Sequence, residues 1–260
     1  MKTQILFRPG LAEDGECDAA AIYFPTVRYR TEIEAGSLVI PRYSSLPYYE
    51  ELEQDVRRLD GRLINSYAEH KWIADFHYYN ELRDYTFETW TESTISGAPP
   101  DIAYVVKGRT NSKKFQWRNA MFAENRRRAV EIGADLYADS MIGSQGILYR
   151  RYVPLKKVEE GINGMPMSNE YRFFFLGDKL LASSFYWAIA DSVPEGVPAE
   201  ATKLAKEIAS RAAAYTNFFV LDIAETAEGE WMLVEMNCGT MSGLSLIEPI
   251  DLYSNLKSVL

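Results

Sequence analysis

The chain has 260 residues, 47% of them hydrophobic and 13% aromatic, the composition of a folded protein with a sizeable core and not of a disordered tail. Its net charge of -9 argues against broad binding to nucleic acid or to an anionic membrane. Two cysteines, Cys17 and Cys238, exclude a disulfide framework; with only two histidines, His70 and His77, any metal would be a hard ion on oxygen ligands.

The opening "MKTQILFRPGLAEDGE" turns charged too early for a signal peptide, and no apolar run approaches about 18 residues, which together predict a cytoplasmic protein. "TQILF" and "SLVIPRY" read as strands. "SSLPYYEELEQDVRRLDG" sets Leu46, Tyr49, Leu52, Val56 and Leu59 at helical spacing between a serine and a glycine. "RLINS" is a third strand, and "YAEHKWIADFHYYNELRDY" a second helix on Trp72, Phe76, Tyr79 and Leu82. Strand, helix, strand, helix predicts a small parallel sheet with right-handed crossovers.

"SGAPPD", residues 96–101, is rich in turn residues and marks the expected boundary between a domain 1–97 and a domain 98–260. Beyond it come a strand "IAYVVKG", a polar loop "RTNSKKFQW", a helix over "RNAMFAENRRRAVEIGADLYAD", a strand "GILYRRYVPL" and a loop "VEEGINGMPMSN". "EYRFFFLGDKLLASSFYW" is a hairpin about Gly177-Asp178, "PAEATKLAKEIASRAAAY" a helix, and "NFFVLDIAETAEGEWMLVEMN" a second hairpin. The fold class is therefore α/β followed by α+β.

The last hairpin carries the chemistry. In a regular strand Trp231, Leu233, Glu235 and Asn237 share one side, and Met232, Val234 and Met236 the other. A two-residue turn at Glu228-Gly229 places Asp222 opposite Glu235. Like charges facing each other across a sheet repel, unless both lie on a solvated face or share a cation. An acid pair with the Asn237 oxygen fits a magnesium site, and magnesium usually keeps substrate phosphates among its ligands. Lys107, at the end of a buried strand before Gly108, Thr110, Asn111, Ser112, Lys113 and Lys114, is placed to reach a phosphate chain; an exposed lysine at a strand end is the plainer alternative. Arg172 lies among aromatic residues, where its planar fork suits phosphate oxygens or an ion pair with Glu170 or another acid.

In this order the residues resemble the ATP-grasp family over about residues 100–245: a strand ending in Lys107, a covering loop, a hinge "ILYRRYVPL", a strand with Arg172, then Asp222 and Glu235-Met236-Asn237. The resemblance implies an ATP-grasp fold after a small α/β domain, with ATP and Mg2+ as cofactors. It implies that Lys107 and Arg172 contact phosphates and act in catalysis, and that Lys113 belongs to the covering loop. Arg150, Arg151, Tyr152 and Val153 would hold the adenine through their backbone, and Asp222, Glu235 and Asn237 the metal. Lys71, in the preceding helix, is similar in place to another ATP-contacting lysine, or is a plain surface lysine. "CGTMSG" after Asn237 would lie beside the acceptor substrate, or is an ordinary turn. The arginines Arg150 and Arg151 in the hinge, and the single glycine of the covering loop, depart from the usual pattern and suggest a divergent branch such as those found in bacteria and phages.

The implied reaction is ATP-dependent joining of a carboxylate to an amine, as a C–N ligase acting on an amino acid or peptide. A kinase on the same fold and a non-catalytic nucleotide-binding module are the alternatives. Arg8, Arg28, Arg30 and Arg42, with Tyr43, lie near predicted strand ends, as binders of an acidic peptide or amino-acid carboxylate or as ordinary surface arginines.

Overall fold

The computed structural model describes residues 2–10, 15–140 and 142–260. The elements, in chain order, begin with β1 (Thr3–Phe7), α1 (Glu16–Tyr23), β2 (Thr26–Val27), β3 (Leu38–Arg42), α2 (Tyr49–Arg58) and β4 (Arg62–Leu63). The strands form the expected parallel sheet, in the order β2-β1-β3-β4, with α1 and the short strand β2 added to the elements read from the sequence. Its two faces are both covered, as parallel sheets require. On one side Leu6, Val39 and Leu63 meet Tyr49, Leu52 and Val56 of α2.

The expected helix over residues 67–85 is broken into α3 (Tyr67–Ala74) and α4 (Tyr78–Leu82). Phe76 takes a left-handed conformation at φ 66°, with its ring against Tyr78 and Tyr79. Burial of three aromatic rings outweighs the helical pattern there. Next come β5 (Thr89–Thr91), β6 (Tyr104–Gly108), α5 (Trp117–Ala120), β7 (Phe122–Ala123), α6 (Arg126–Tyr137) and β8 (Ile147–Arg151). They make an antiparallel sheet, β5-β8-β6-β7, under α6. β5 thus pairs across the turn-rich residues 96–101. The helix expected from residue 118 begins in earnest only at Arg126, where the Asn125 side chain accepts from Arg128 N; Phe122–Ala123 is strand.

The segment read as a loop after residue 157 is a hairpin, β9 (Lys157–Glu160) with β10 (Pro166–Ser168). Asn163 and Gly164, both at positive φ, turn the chain there, so the loop signals belong to the turn alone. The chain ends with β11 (Glu170–Leu176), β12 (Lys179–Phe185), α7 (Ala199–Ala212), β13 (Phe218–Glu225), β14 (Trp231–Cys238) and α8 (Pro249–Val259). The four strands form an antiparallel sheet, β12-β11-β13-β14. One face buries Phe173, Phe175, Phe219 and Leu221 against α7. The other sets Phe174, Phe218 and Val220 against α1, α8 and the free face of β1 and β3, so the two halves share one core. No helix among the described residues is long and apolar enough to cross a membrane.

Asp222 does pair with Glu235, but not through the expected turn. Ala227-Glu228-Gly229 form a three-residue loop, with Gly229 N donating to Thr226 O at 3.0 Å and Gly229 at φ 90°. A bulge between Asp222 and Ile223 then restores the register. The extra residue also inverts the strand's parity. Leu233 lies in the core with Met236 and Cys238, whereas Val234, Glu235 and Asn237 face the opposite side. The expected sharing of one side by Trp231, Leu233, Glu235 and Asn237 is therefore corrected.

Candidate functional site

The bulge is where the site is made. It interrupts the ladder on edge strand β14, and the freed carbonyls find side-chain donors: Thr86 Oγ1 donates to Leu233 O at 2.7 Å, and Arg150 Nη1 to Val234 O. Arg150 is thus buried structural support for the strand, its guanidinium 5.8 Å from the Phe87 ring. The next side chain, Glu235, is turned toward two adjoining cavities.

The first cavity, about 130 Å³, is mostly apolar. Arg151, Tyr152 and Val153 of the hinge line it with Trp117, Met165 and Trp187. The second, about 360 Å³, is polar, with Thr110, Asn111, Ser112, Arg172, Asn237 and Ser242 on its wall. Lys107, Lys114 and Glu235 line both and mark their junction.

Lys107 Nζ donates to Glu235 Oε1 at 2.6 Å. β6 delivers that lysine from its buried end, and the bulge delivers the glutamate. Burial disfavours both charges and lowers the Lys107 pKa in spite of Glu235. Burial also acts against the Glu235 carboxylate, but Lys107, Lys114 and Arg150 outweigh it and hold its pKa below the usual range. The two side chains form a buried ion pair at the junction of the cavities.

Arg172 makes the other pair. Its Nε and Nη2 donate to the two Asp222 oxygens, each at 2.8 Å, and its Nη1 donates to Gly243 O at 2.8 Å. The partner is Asp222 and not Glu170. Burial opposes the guanidinium charge, but Asp222 holds Arg172 more firmly protonated than usual.

The structure brings together Lys107, Arg172, Glu235, Asn237 and the hinge Arg150–Val153. Asp222 lies just behind, 1% exposed and outside the lining of either cavity, with both oxygens taken. Two expected contacts lie elsewhere. Lys71 pairs with Asp75 on the surface of α3, and Lys113 pairs with Asp139 at 2.8 Å. The neighbouring Lys114 points inward instead, its Nζ bonded to Tyr186 Oη and 4.3 Å from that ring's centre. Sequence reasoning also missed Tyr186, and it considered Glu170 only as a partner for Arg172. Glu170 accepts from Ser168 Oγ at 3.0 Å, and burial pushes its carboxyl up to about 7, with Asp222 adding to the rise and Lys114 opposing it. The one sequence signal was its place two residues from Arg172, on the same face of β11.

Oxygen ligands for a hard cation are available in the polar cavity from Glu235 and Asn237. Asp222 adds a third only if Arg172 lets it go. Among the described residues no group of three histidine, cysteine or acidic side chains is gathered as a metal site. Cys238 is no nucleophile: buried, with Asn65 Nδ2 at 3.2 Å and Thr240 Oγ1 at 3.1 Å, its thiol pKa is raised by burial.

The "CGTMSG" turn is held from two directions. Arg42, at the end of β3, donates to Gly239 O and, at 2.9 Å, to Ser242 O. Glu16 holds Arg42 at 2.7 Å and accepts from Tyr253 Oη at 2.7 Å. Arg172 takes Gly243 O from the other side. Arg42, one of the four N-terminal arginines, is thus a structural latch.

A strand-end lysine, a hinge-lined apolar cavity and a sheet-borne Arg–Asp–Glu–Asn row form the pattern expected from the sequence. The family model described as the ATP-grasp domain, R2K clade family 3, matches residues 95–256. The chain belongs to the ATP-grasp family. Solved structures agree on this ATP-grasp fold. A D-cycloserine synthetase, DcsG, is 12% identical with a TM-score of 0.60, over 100% of this chain and 99% of that one. A RiPP-associated ATP-grasp ligase from Chryseobacterium gregarium, in complex with ADP and a leader and core peptide, is 10% identical at 0.61, over 100% and 96%. The ATP-grasp ligase PsnB, complexed with minimal precursor, Mg and ADP, is 9% identical at 0.58, over 98% and 97%. At these identities the likeness is one of fold. No curated protein matches the sequence.

Proposed function

We propose that this ATP-grasp protein is an ATP- and magnesium-dependent ligase that joins a carboxylate to an amine, on an amino acid or peptide substrate. The observation that carries the reading is the meeting of Lys107, Lys114 and Glu235 at the junction of an apolar and a polar cavity. The apolar cavity takes adenine, its edge against the backbone of Arg150–Val153. The polar cavity takes the phosphates and the reacting groups. Residues 1–97 form the preceding domain and 98–260 the ATP-grasp domain, with β5 lent across the division.

In the reaction a carboxylate oxygen attacks the γ-phosphorus and ADP leaves, giving an acylphosphate. The amine nitrogen then attacks the acyl carbon, phosphate departs and the nitrogen loses a proton. Lys107 and Lys114 hold the phosphate oxygens and neutralise charge as it builds on the transferred group. Arg172 braces the Gly243 carbonyl beside the reacting groups and lends positive charge to the same cavity. Tyr186 and Trp187 keep Lys114 in place and exclude water from its side chain. Glu235 and Asn237 would hold magnesium, with Asp222 joining if Arg172 turns to phosphate; the bound ion supplies charge neutralisation at the phosphates. Solved relatives named for complexes with ADP, peptide and Mg support this cofactor and substrate class.

Thermal melts with ATP, each with magnesium or chelator, test the nucleotide half. At a hundred times its dissociation constant ATP adds about 2.7 kcal/mol, a rise of roughly 5 to 10 °C for a chain of this size. ADP release that requires both a carboxylate and an amine, with the amide seen by mass spectrometry, supports ligation. ADP release with a phosphorylated product and no need of amine would convert the reading to a kinase.

A further inference from the structure

At the carboxyl ends of the parallel strands lies another cavity of about 440 Å³, which shares no lining residue with the two cavities described above. Such strand ends are where open parallel sheets bind ligands. Arg28 follows β2, Arg8 follows β1 and Tyr43 follows β3, so the three stand side by side in the sheet order β2-β1-β3. Tyr29, Arg30 and Tyr48 add to the lining, with Glu51 as an acid beside the three arginines.

The arginines differ in how they are held. Arg30 Nη1 donates to Asp55 at 2.7 Å, which makes it part of the wall. Arg8 and Arg28 are exposed, and neither guanidinium has an ion pair or hydrogen bond among the described residues. The turn that carries Arg28 is nevertheless fixed, because Glu32 Oε2 accepts from Arg28 N at 2.8 Å and Tyr29 N at 3.1 Å. Tyr29 and Tyr48 are 59% and 61% exposed, an unusual investment of aromatic surface in water. Free arginine beside exposed tyrosine is the composition of an interface core. On a protein of net charge -9, three arginines in one lining give this cavity a local positive potential that attracts anions.

We propose that this cavity binds an extended acidic peptide through two of its carboxylates, one on Arg8 and one on Arg28. Planar guanidinium forks suit carboxylates. Alternate side chains of an extended peptide repeat at about 7 Å, and neighbouring strands lie about 5 Å apart, so two arginines rooted on β1 and β2 reach successive acids on one side of it. The tyrosine rings flank its backbone. Tyr43 lines this cavity while Ser44 and Leu46 line the polar cavity, so the segment from Tyr43 to Tyr48 is their common wall. A peptide held here directs its end toward the reacting groups; that it is the substrate rests on the ligase reading, but its binding does not.

Fluorescence anisotropy with a labelled pentapeptide of alternating glutamate and glycine tests this, against the same peptide with glutamine. The glutamate peptide should bind at least tenfold more tightly. Arg8→Gln with Arg28→Gln should abolish that preference while leaving the protein's melting temperature and its ATP-induced shift unchanged. Tyr29→Ala should weaken both peptides alike. Equal binding of the two peptides, or a double variant that still prefers glutamate, would overturn the assignment. Displacement of the peptide by equimolar inorganic phosphate would overturn it too, by making the site one for a phosphoryl group. Glutamate-selective binding by a protein that shows no ATP shift would sink the ligase reading and leave this site standing.

Discussion

Arg172 holds both carboxylate oxygens of Asp222 at 2.8 Å across paired strands, in a setting where neither side chain is more than one-tenth exposed. Repulsion between Asp222 and Glu235 is thereby relieved in the fold itself, each acid having a cation of its own.

Neutralising Asp222 should therefore destabilise the protein instead of relieving it. Asp222→Asn strands a buried guanidinium and should cost about 3 kcal/mol, whereas Arg172→Met combined with Asp222→Leu should recover most of that loss. Urea melts of the parent and the two variants decide it. A single variant as stable as the parent would mean that the pair contributes nothing.

Lys107 and Glu235 occupy each other, so on the proposed reading ATP takes Lys107 from Glu235 and leaves an acid unpaired unless a cation follows. Glu235→Gln should tighten ATP binding in chelator by about tenfold, near 1.4 kcal/mol, and weaken it in magnesium by a similar factor. Calorimetric titration in both buffers reads the crossing. Parallel changes in the two buffers would rule out the coupling.

Glu170 predicts a pH dependence. Its carboxyl is raised to about 7 by burial, so between about pH 4.3 and 7 the folded protein holds a proton that the unfolded chain has lost. Stability falls as pH rises through that window, and the penalty is complete above it. Glu170→Gln should match the parent near pH 5 and exceed it at pH 8 by on the order of 2 kcal/mol. A difference that does not grow with pH would show that Glu170 is charged in the fold at low pH as well.

Gly133 sits inside α6, where alanine ordinarily gains about 1 kcal/mol. A Cβ there would stand 2.2 Å from Tyr149 Oη and 2.8 Å from its ring, on the neighbouring strand β8. Gly133→Ala should lower the melting temperature, with a cost of about 1 to 3 kcal/mol from overpacking. Gly133→Ala in a Tyr149→Phe background should recover part of it.

What the sequence revealed and what it withheld follow from the range of the forces involved. Alternation of strand and helix through residue 63 depends on local pattern, and the parallel sheet came out as expected. The facing of Asp222 and Glu235 was also foreseen, although a longer turn and a bulge replace the simple turn that suggested it. The parity of β14 was not legible, because the bulge is supported by Thr86 and Arg150 from distant segments. Nor could the sequence choose between Lys113 and Lys114: adjacent loop residues look alike until Tyr186 and Trp187 select one. The terminal helix α8 was legible and overlooked. Pro249 in its first turn and Leu252, Tyr253 and Leu256 on one face are helix signals.

The Arg42 latch gives the chain a temporal logic. During synthesis Arg42 emerges 197 residues before Gly239 and 200 before Ser242, whose carbonyls it holds in the finished fold. The latch itself is completed later still, because Glu16 also accepts from Tyr253 of α8. A fragment comprising only the later residues would keep Lys107, Lys114 and Arg172 but lose Arg42, which closes the turn behind them. The loop of the candidate site is thus closed only when the beginning and the end of the chain have met.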